Sequence, residues 1–135
     1  SKLYFFDIGV TNSLAKRGEI MEGSELFGKA FEHFILLEVR AFLSYARKNI
    51  KMCYWRSTSQ FEVDLILGNN WGIEIKSAAS IQNKHLKGIR ALKEEGNIQN
   101  FAAVSCDRHE RKTRDNITIF PWKFFLQKLW NGDIV

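Results

Sequence analysis

The chain has few cysteines, which cross-link small folds, and few of the prolines and glycines that are common in linkers. Its 135 residues include two cysteines, Cys53 and Cys106, which do not form a Cys-x-x-Cys pair. A disulfide framework, a zinc ribbon and a dithiol redox motif are therefore not indicated, and a reducing cytoplasm is the expected location. One proline and nine glycines leave little sequence for disordered linkers.

Long apolar runs are also missing. The densest one, residues 34–37, is soon interrupted by Glu38 and Arg40 and is too short to span a membrane. The first seven residues contain no long apolar stretch and no small-residue cleavage site, so we expect neither a signal peptide nor a membrane partner.

What the sequence does contain is enough for one core. Hydrophobic residues make up 45% of the chain, including eleven Phe and four Trp, which predicts a single domain over residues 1–135. The net charge of +5 weakly favours an anionic partner such as DNA. The chain begins with Ser rather than Met, so we expect it to be part of a longer protein.

The pattern of apolar residues predicts an α/β fold. Helices are expected at residues 25–48, after Ser24 as N-cap, at 81–95, and from Pro121 onward. Strands are expected at residues 4–6, 52–55, 61–67, 71–76, 101–105 and 117–120, with a charged loop at 107–116. The expected architecture is a central mixed sheet of four to five strands flanked by helices.

The strands at 61–67 and 71–76 form the most informative pair. Phe61, Val63, Leu65 and Leu67 are predicted to share one face, with Glu62, Asp64 and Ile66 on the other, and residues 68–70 form a turn. If Leu67 faces the first residue of the next strand, every later pair follows from the register.

In that register, Asp64 lies opposite Glu74 and Glu62 opposite Lys76, with Cβ atoms about 4.5–5.5 Å apart. Two carboxylates this close repel unless a proton or a cation lies between them, and a hard divalent cation such as Mg²⁺ resolves the conflict. Glu32, on an apolar stripe of the first helix, is a candidate third carboxylate. The simpler alternative is a solvated hairpin face with a Glu62–Lys76 ion pair, and a Glu32 that pairs with a nearby lysine.

Asp64 followed by Glu74-Ile75-Lys76 resembles the D…(D/E)xK signature of the PD-(D/E)xK nuclease superfamily, and Glu32 matches its upstream acidic position. The resemblance implies a restriction-endonuclease-like core with the order αβββαβ. It also implies that Asp64, Glu74 and the backbone carbonyl of Ile75 hold Mg²⁺ (or Mn²⁺), with support from Glu32, while Lys76 serves the attacking water. Val63 stands where the superfamily often has proline.

A second set of segments, spread over nearly the whole chain, carries a longer resemblance. These segments are residues 2–9, 28–32, 54–56, 61–66, 74–77, 121–122 and 130–133. With them the chain is similar to an uncharacterised C-terminal domain that follows an AAA+-type ATPase module in many bacterial and archaeal proteins. The resemblance implies an ATPase module N-terminal to this domain, in the same chain.

Together these features predict a Mg²⁺-dependent DNA endonuclease-like phosphodiesterase. The alternative is a catalytically inactive module with the same fold that binds DNA or protein and regulates the ATPase; a weaker one is oligomerisation through aromatic surface. Lys84, Lys87, Arg111 and Lys112 are candidate phosphate contacts, although solvated surface charge explains them equally well.

Overall fold

The computed structural model describes residues 25–135. It shows an α/β fold, a mixed open sheet of six strands flanked by helices, which confirms the predicted fold class. The predicted strand at residues 4–6 and the predicted cap at Ser24 lie outside the described residues. Within residues 25–135, no helix combines the length and apolarity needed to cross a membrane.

The helices and strands follow the predicted order. The helices are α1 (Glu25–Tyr45), α2 (Lys87–Glu94) and α3 (Trp122–Trp130), and a 3-10 turn (Asn83–Leu86) precedes α2. The strands are β1 (Met52–Arg56), β2 (Glu62–Leu67), β3 (Trp71–Ile75), β4 (Asn100–Ser105), β5 (Arg111–Lys112) and β6 (Ile117–Pro121).

Three predicted boundaries are wrong. Helix α1 ends at Tyr45 because Arg47 takes a positive φ of 53° and the Lys48 N–H donates to the Leu43 carbonyl, which closes the helix. Pro121 ends β6 in an extended conformation and precedes the first helical residue, Trp122. The second helix starts later than residue 81, because Gln82 has an extended backbone with φ of −120° and ψ of 168°, and the 3-10 turn begins only at Asn83.

The sheet has one strand more than the predicted four or five. Two residues of the predicted charged loop, Arg111 and Lys112, pair antiparallel with Ile119 and Thr118 and form the edge strand β5. The strand order is β1-β2-β3-β4-β6-β5, in which β3, β4 and β6 run parallel and the other pairs are antiparallel.

Each face of the sheet carries its own apolar core. Helices α1 and α3 cover one face, where the core includes Ile35, Val39, Leu65, Ile73 and Phe125. Helix α2 covers the other, where the core includes Val63, Leu86, Ile89, Ala103 and Ile119. Gly88 allows α2 to approach β2 closely, because a Cβ atom there would lie 1.9 Å from the Glu62 carbonyl oxygen.

A β-bulge divides β2 between these two cores. Cys53 pairs with Ile66 and Trp55 with Val63, so one residue of β1 faces two of β2, Asp64 and Leu65. The extra residue turns Val63 toward α2, whereas Leu65 and Leu67 face α1. The predicted common face of Phe61, Val63, Leu65 and Leu67 is therefore wrong, and Phe61 is 39% exposed.

Candidate active site

An open cleft of about 880 Å³ lies between the first turns of α1, the hairpin of β2 and β3, and the segment after β3. It brings together all four predicted catalytic residues, Glu32, Asp64, Glu74 and Lys76, as well as Ile75. The other lining residues are Glu25, Gly28, Lys29, His33, Glu62, Ser77, Ala78, Lys84 and His85.

The predicted hairpin register is confirmed for its first three pairs. Leu67 pairs with Trp71, Ile66 with Gly72 and Leu65 with Ile73. One step further outward, Asp64 and Glu74 do not form a ladder pair, but their side chains are hydrogen-bonded to each other. The regular pairing stops at this step, where the bulge lies. Instead, the Ile75 N–H donates to Oδ2 of Asp64 at 2.8 Å. The hairpin thus fixes the Asp64 carboxyl by a main-chain donor next to the Glu74 carboxyl.

Burial is the main reason why both carboxyl groups of the pair disfavour the ionised form. Burial, together with the hydrogen bond and the charge of Glu74, raises the pKa of Asp64 to about 7, against the opposing effect of hydrogen bonds from Glu32 and the Ile75 N–H. Burial also raises the pKa of Glu74; the hydrogen bond with Asp64 opposes this rise, whereas the charge of Glu32 adds to it. Helix α1 therefore directs Glu32 at the pair, as the sequence predicts.

These donors fit a hard divalent cation that is completed by other ligands. Within residues 25–135, no three His, Cys, Asp or Glu side chains are arranged to hold a metal ion by themselves. Mg²⁺ commonly takes one or two protein carboxylates and fills its remaining positions with water and substrate phosphate. Asp64 and Glu74 supply such a pair, and the Ile75 carbonyl belongs to the residue that already bonds to Asp64.

Lys76 is exposed at the edge of this cleft, and its charge partly offsets the rise in the pKa of Glu74. The predicted pairing of Glu62 with Lys76 is wrong. Glu62 faces Arg56 of β1, and the two form an exposed ion pair with an N–O distance of 3.7 Å. The regular β2–β3 pairing ends at Leu65 and Ile73, next to the bulge, so it does not reach Glu62 and Lys76.

The four predicted phosphate contacts are in different places. Lys84 lines the cleft, whereas Lys87 is exposed at the start of α2 and Lys112 is exposed on the edge strand β5. Arg111 is bound within the protein, since its Nη2 donates to the Ile81 carbonyl at 2.7 Å and lies 3.2 Å from Oδ1 of Asp107. Of the four, Lys84 alone shares the cleft with the acidic residues.

Two histidines of the cleft did not stand out in the sequence. His33 follows Glu32 on α1, and His85 lies in the 3-10 turn beside Lys84. Neither histidine has the spacing of a metal ligand, and the loop that brings His85 to the cleft has no sequence signature. The one indication in the sequence is that each histidine directly follows a predicted site residue, Glu32 or Lys84.

A family model described as a domain of unknown function (DUF4143) matches residues 27–125, which include every cleft residue except Glu25. The chain belongs to this family. DUF4143 membership confirms the predicted resemblance to an uncharacterised domain, whereas the PD-(D/E)xK superfamily and the attached ATPase stay predictions. No curated protein and no solved structure matches the chain significantly.

Proposed function

We propose that this chain is a metal-dependent phosphodiesterase that cleaves DNA. The observation that carries the proposal is the carboxyl pair of Asp64 and Glu74, joined by Glu32 and flanked by the exposed Lys76 at an open cleft. Facing carboxylates weaken a sheet, and a fold that keeps such a pair against local preference indicates a functional site.

Each residue has a role in this proposal. Asp64, Glu74 and the backbone carbonyl of Ile75 would hold Mg²⁺ or Mn²⁺, and Glu32 would support the two ligands. The cation, when bound, lowers the pKa of a coordinated water and offsets charge on the phosphate. The Lys76 ammonium orients the attacking water and stabilises the negative charge that develops on the phosphoryl oxygens.

Topology and charge support the same proposal. The order α1-β1-β2-β3-α2-β4 is the αβββαβ order that the resemblance to PD-(D/E)xK nucleases implies. The net charge of +5 and the presence of Lys29, Lys76 and Lys84 in the cleft favour a polyanionic substrate. The resemblance also leads us to propose that an AAA+-type ATPase module precedes this domain in the same protein.

One observation favours a second candidate, a catalytically inactive module that binds DNA or protein and regulates that ATPase. The described side chains form no complete metal-binding group, and Asp64 retains its proton up to about pH 7. Such a module needs the lysines of the cleft for contacts with an anionic partner, but it does not need a bound cation.

Two measurements on the Glu74→Ala variant separate these candidates. We expect the parent to cleave supercoiled plasmid in Mg²⁺ or Mn²⁺ and to bind the cation in a calorimetric titration, because Glu74 supplies a ligand. The variant should lose both activities and keep the parent's circular dichroism spectrum. Glu94→Ala is the matched control, because Glu94 is exposed at the end of α2 and does not line the cleft.

A Glu74→Ala variant that cuts DNA as fast as the parent contradicts the assigned site. If neither protein cuts, and both bind DNA with an affinity that falls steeply as salt increases, the second candidate is correct.

A further inference from the structure

His85 lies on the wall of the cleft with one ring nitrogen already committed. Its Nδ1 accepts a hydrogen bond of 2.9 Å from the Gln82 N–H, which closes the 3-10 turn Asn83–Leu86. A neutral imidazole has one donor and one acceptor nitrogen, so this bond places the proton on Nε2. Within the described part of the chain, the fold uses Nδ1 of this ring and not Nε2.

The surroundings keep the ring neutral. Burial and the nearby charges of Lys76 and Lys84 lower the pKa of His85, and only Asp107 opposes them. At neutral pH the cleft therefore offers an Nε2–H donor near two ammonium groups. Two cations and a neutral donor form a combination suited to an anion with several oxygen acceptors, such as a phosphodiester.

The segment that carries His85 is fixed in place before any ligand arrives. The Cys106 N–H donates to the Ala78 carbonyl at 3.0 Å, and Oδ2 of Asp107 accepts from the Ile81 N–H at 3.0 Å. The Arg111 guanidinium donates a hydrogen bond to the Ile81 carbonyl, and the hydroxyl of the buried Ser105 donates one to Oδ2 of Asp107. A donor on so constrained a segment loses little conformational entropy when it binds a ligand.

We propose that His85 is a phosphate-binding residue of the cleft, which donates from Nε2 to a non-bridging oxygen of a DNA phosphodiester that Lys84 also contacts. The ligand class rests on the proposed function, but the contact requires binding only and no cleavage. His85 would thus help to position the DNA strand relative to the carboxyl pair.

Two substitutions of His85 distinguish the roles of the two ring nitrogens. In His85→Asn, the amide oxygen can replace Nδ1 as the acceptor for the Gln82 N–H, but the Nε2 donor is lost. In His85→Gln, the longer side chain places an amide N–H near the position of Nε2. A purely structural cap predicts that Asn is the better replacement, whereas a phosphate contact predicts that Gln is.

The test is the affinity of the full 135-residue chain for a fluorescein-labelled DNA duplex, measured by anisotropy in EDTA so that no cleavage occurs. We expect His85→Asn to bind about tenfold more weakly, the effect of losing one hydrogen bond to a charged group. His85→Gln should bind within about twofold of the parent. Thermal melting of both variants shows whether the turn remains folded.

Three results would overturn the proposal: His85→Asn binding as tightly as the parent, His85→Gln binding as weakly as His85→Asn while both stay folded, or no DNA binding by the parent. Long-range ¹H–¹⁵N NMR gives an independent check, since a proton on Nδ1 of the free protein would also contradict it. A parent that binds DNA through His85 but never cleaves it refutes the proposed catalysis and leaves this contact standing.

Discussion

Asp64 in the cleft and Asp115 in the loop before β6 have pKa values displaced in opposite directions. Arg90 approaches Asp115 with its Nε 2.9 Å from Oδ2, and the Thr113 hydroxyl donates to Oδ1 at 2.7 Å. These two donors lower the pKa of Asp115 to about 2. Burial and Glu74 raise the pKa of Asp64 to about 7.

The opposite pKa shifts show which ionised aspartate stabilises the folded protein. The surroundings of Asp115 stabilise its ionised form, so this loop gains from the charge at neutral pH. Asp64 is buried and lies beside the Glu74 carboxyl, so its ionisation opposes folding. Strong pKa displacement by burial and like charges in a cleft is typical of sites that await a ligand.

The largest effect is expected when the lysine that acts on the carboxyl pair, Lys76, is replaced, with Arg90 beside Asp115 as the comparison. Lys76→Met should slow plasmid cleavage in Mg²⁺ by about 10²–10³-fold, because the developing charge on the phosphoryl group loses a preorganised donor. Arg90→Met removes the cation beside Asp115 and should leave the cleavage rate within about twofold of the parent. Initial rates at saturating DNA measure both.

Equal rates for the parent and Lys76→Met would remove the functional distinction between the two sites. A loss of activity in Arg90→Met, with its fold intact by circular dichroism, would extend the functional site beyond the cleft.

The second effect is on stability as a function of pH. The folded-state pKa of Asp64, about 7, lies above its ordinary value of 3.8. Its contribution to stability is therefore fully present below about pH 4 and lost as the pH rises through 7. Without metal, we expect the free energy of unfolding of the parent to fall by on the order of 3 kcal/mol between pH 5 and pH 8.

Asp64→Asn should remove most of that decrease, because the amide cannot ionise. Its oxygen still accepts from the Ile75 N–H and its NH₂ group can donate to Glu74. Urea unfolding in EDTA across this pH range measures the effect. A variant no more stable than the parent at pH 8 would show that ionisation of Asp64 does not destabilise the fold.

The half of the site formed by the hairpin could be predicted from sequence. Alternation with a period of two and a three-residue turn predict the pairing of Leu67 with Trp71, which the structure confirms. Counting outward from this pair predicts that Asp64 lies near Glu74, and the two side chains are hydrogen-bonded. The helical period of α1 likewise predicts that Glu32 lies on a buried face. These relations are local, so a single sequence is enough to specify them.

The rest of the site depends on contacts between distant segments. The bulge at Asp64 and Leu65 arises from pairing with β1, and no residue pattern within β2 signals it. His85 reaches the cleft because the preceding segment is held at Ile81 by Asp107 and Arg111, which lie 26 and 30 residues after Ile81 in the sequence. In the sequence, Arg111 resembles a phosphate-binding arginine, and only the structure shows that its guanidinium bonds to Ile81 and Asp107 within the protein.

The smallest effect is expected at Asp115, and its pH dependence runs opposite to that of Asp64. The pKa of Asp115 is lowered, so its contribution is present above about pH 4 and lost as the pH falls through 2. Both partners of the ion pair are more than one-third exposed, and solvent screening limits the loss in Asp115→Asn to about 1 kcal/mol or less at pH 7. Urea unfolding at pH 7 and pH 3 measures the difference between variant and parent, which should shrink at the lower pH and also in high salt. A difference that instead grows as the pH falls would mean that the two aspartates respond alike, and the contrast between a folding site and a ligand site would fail.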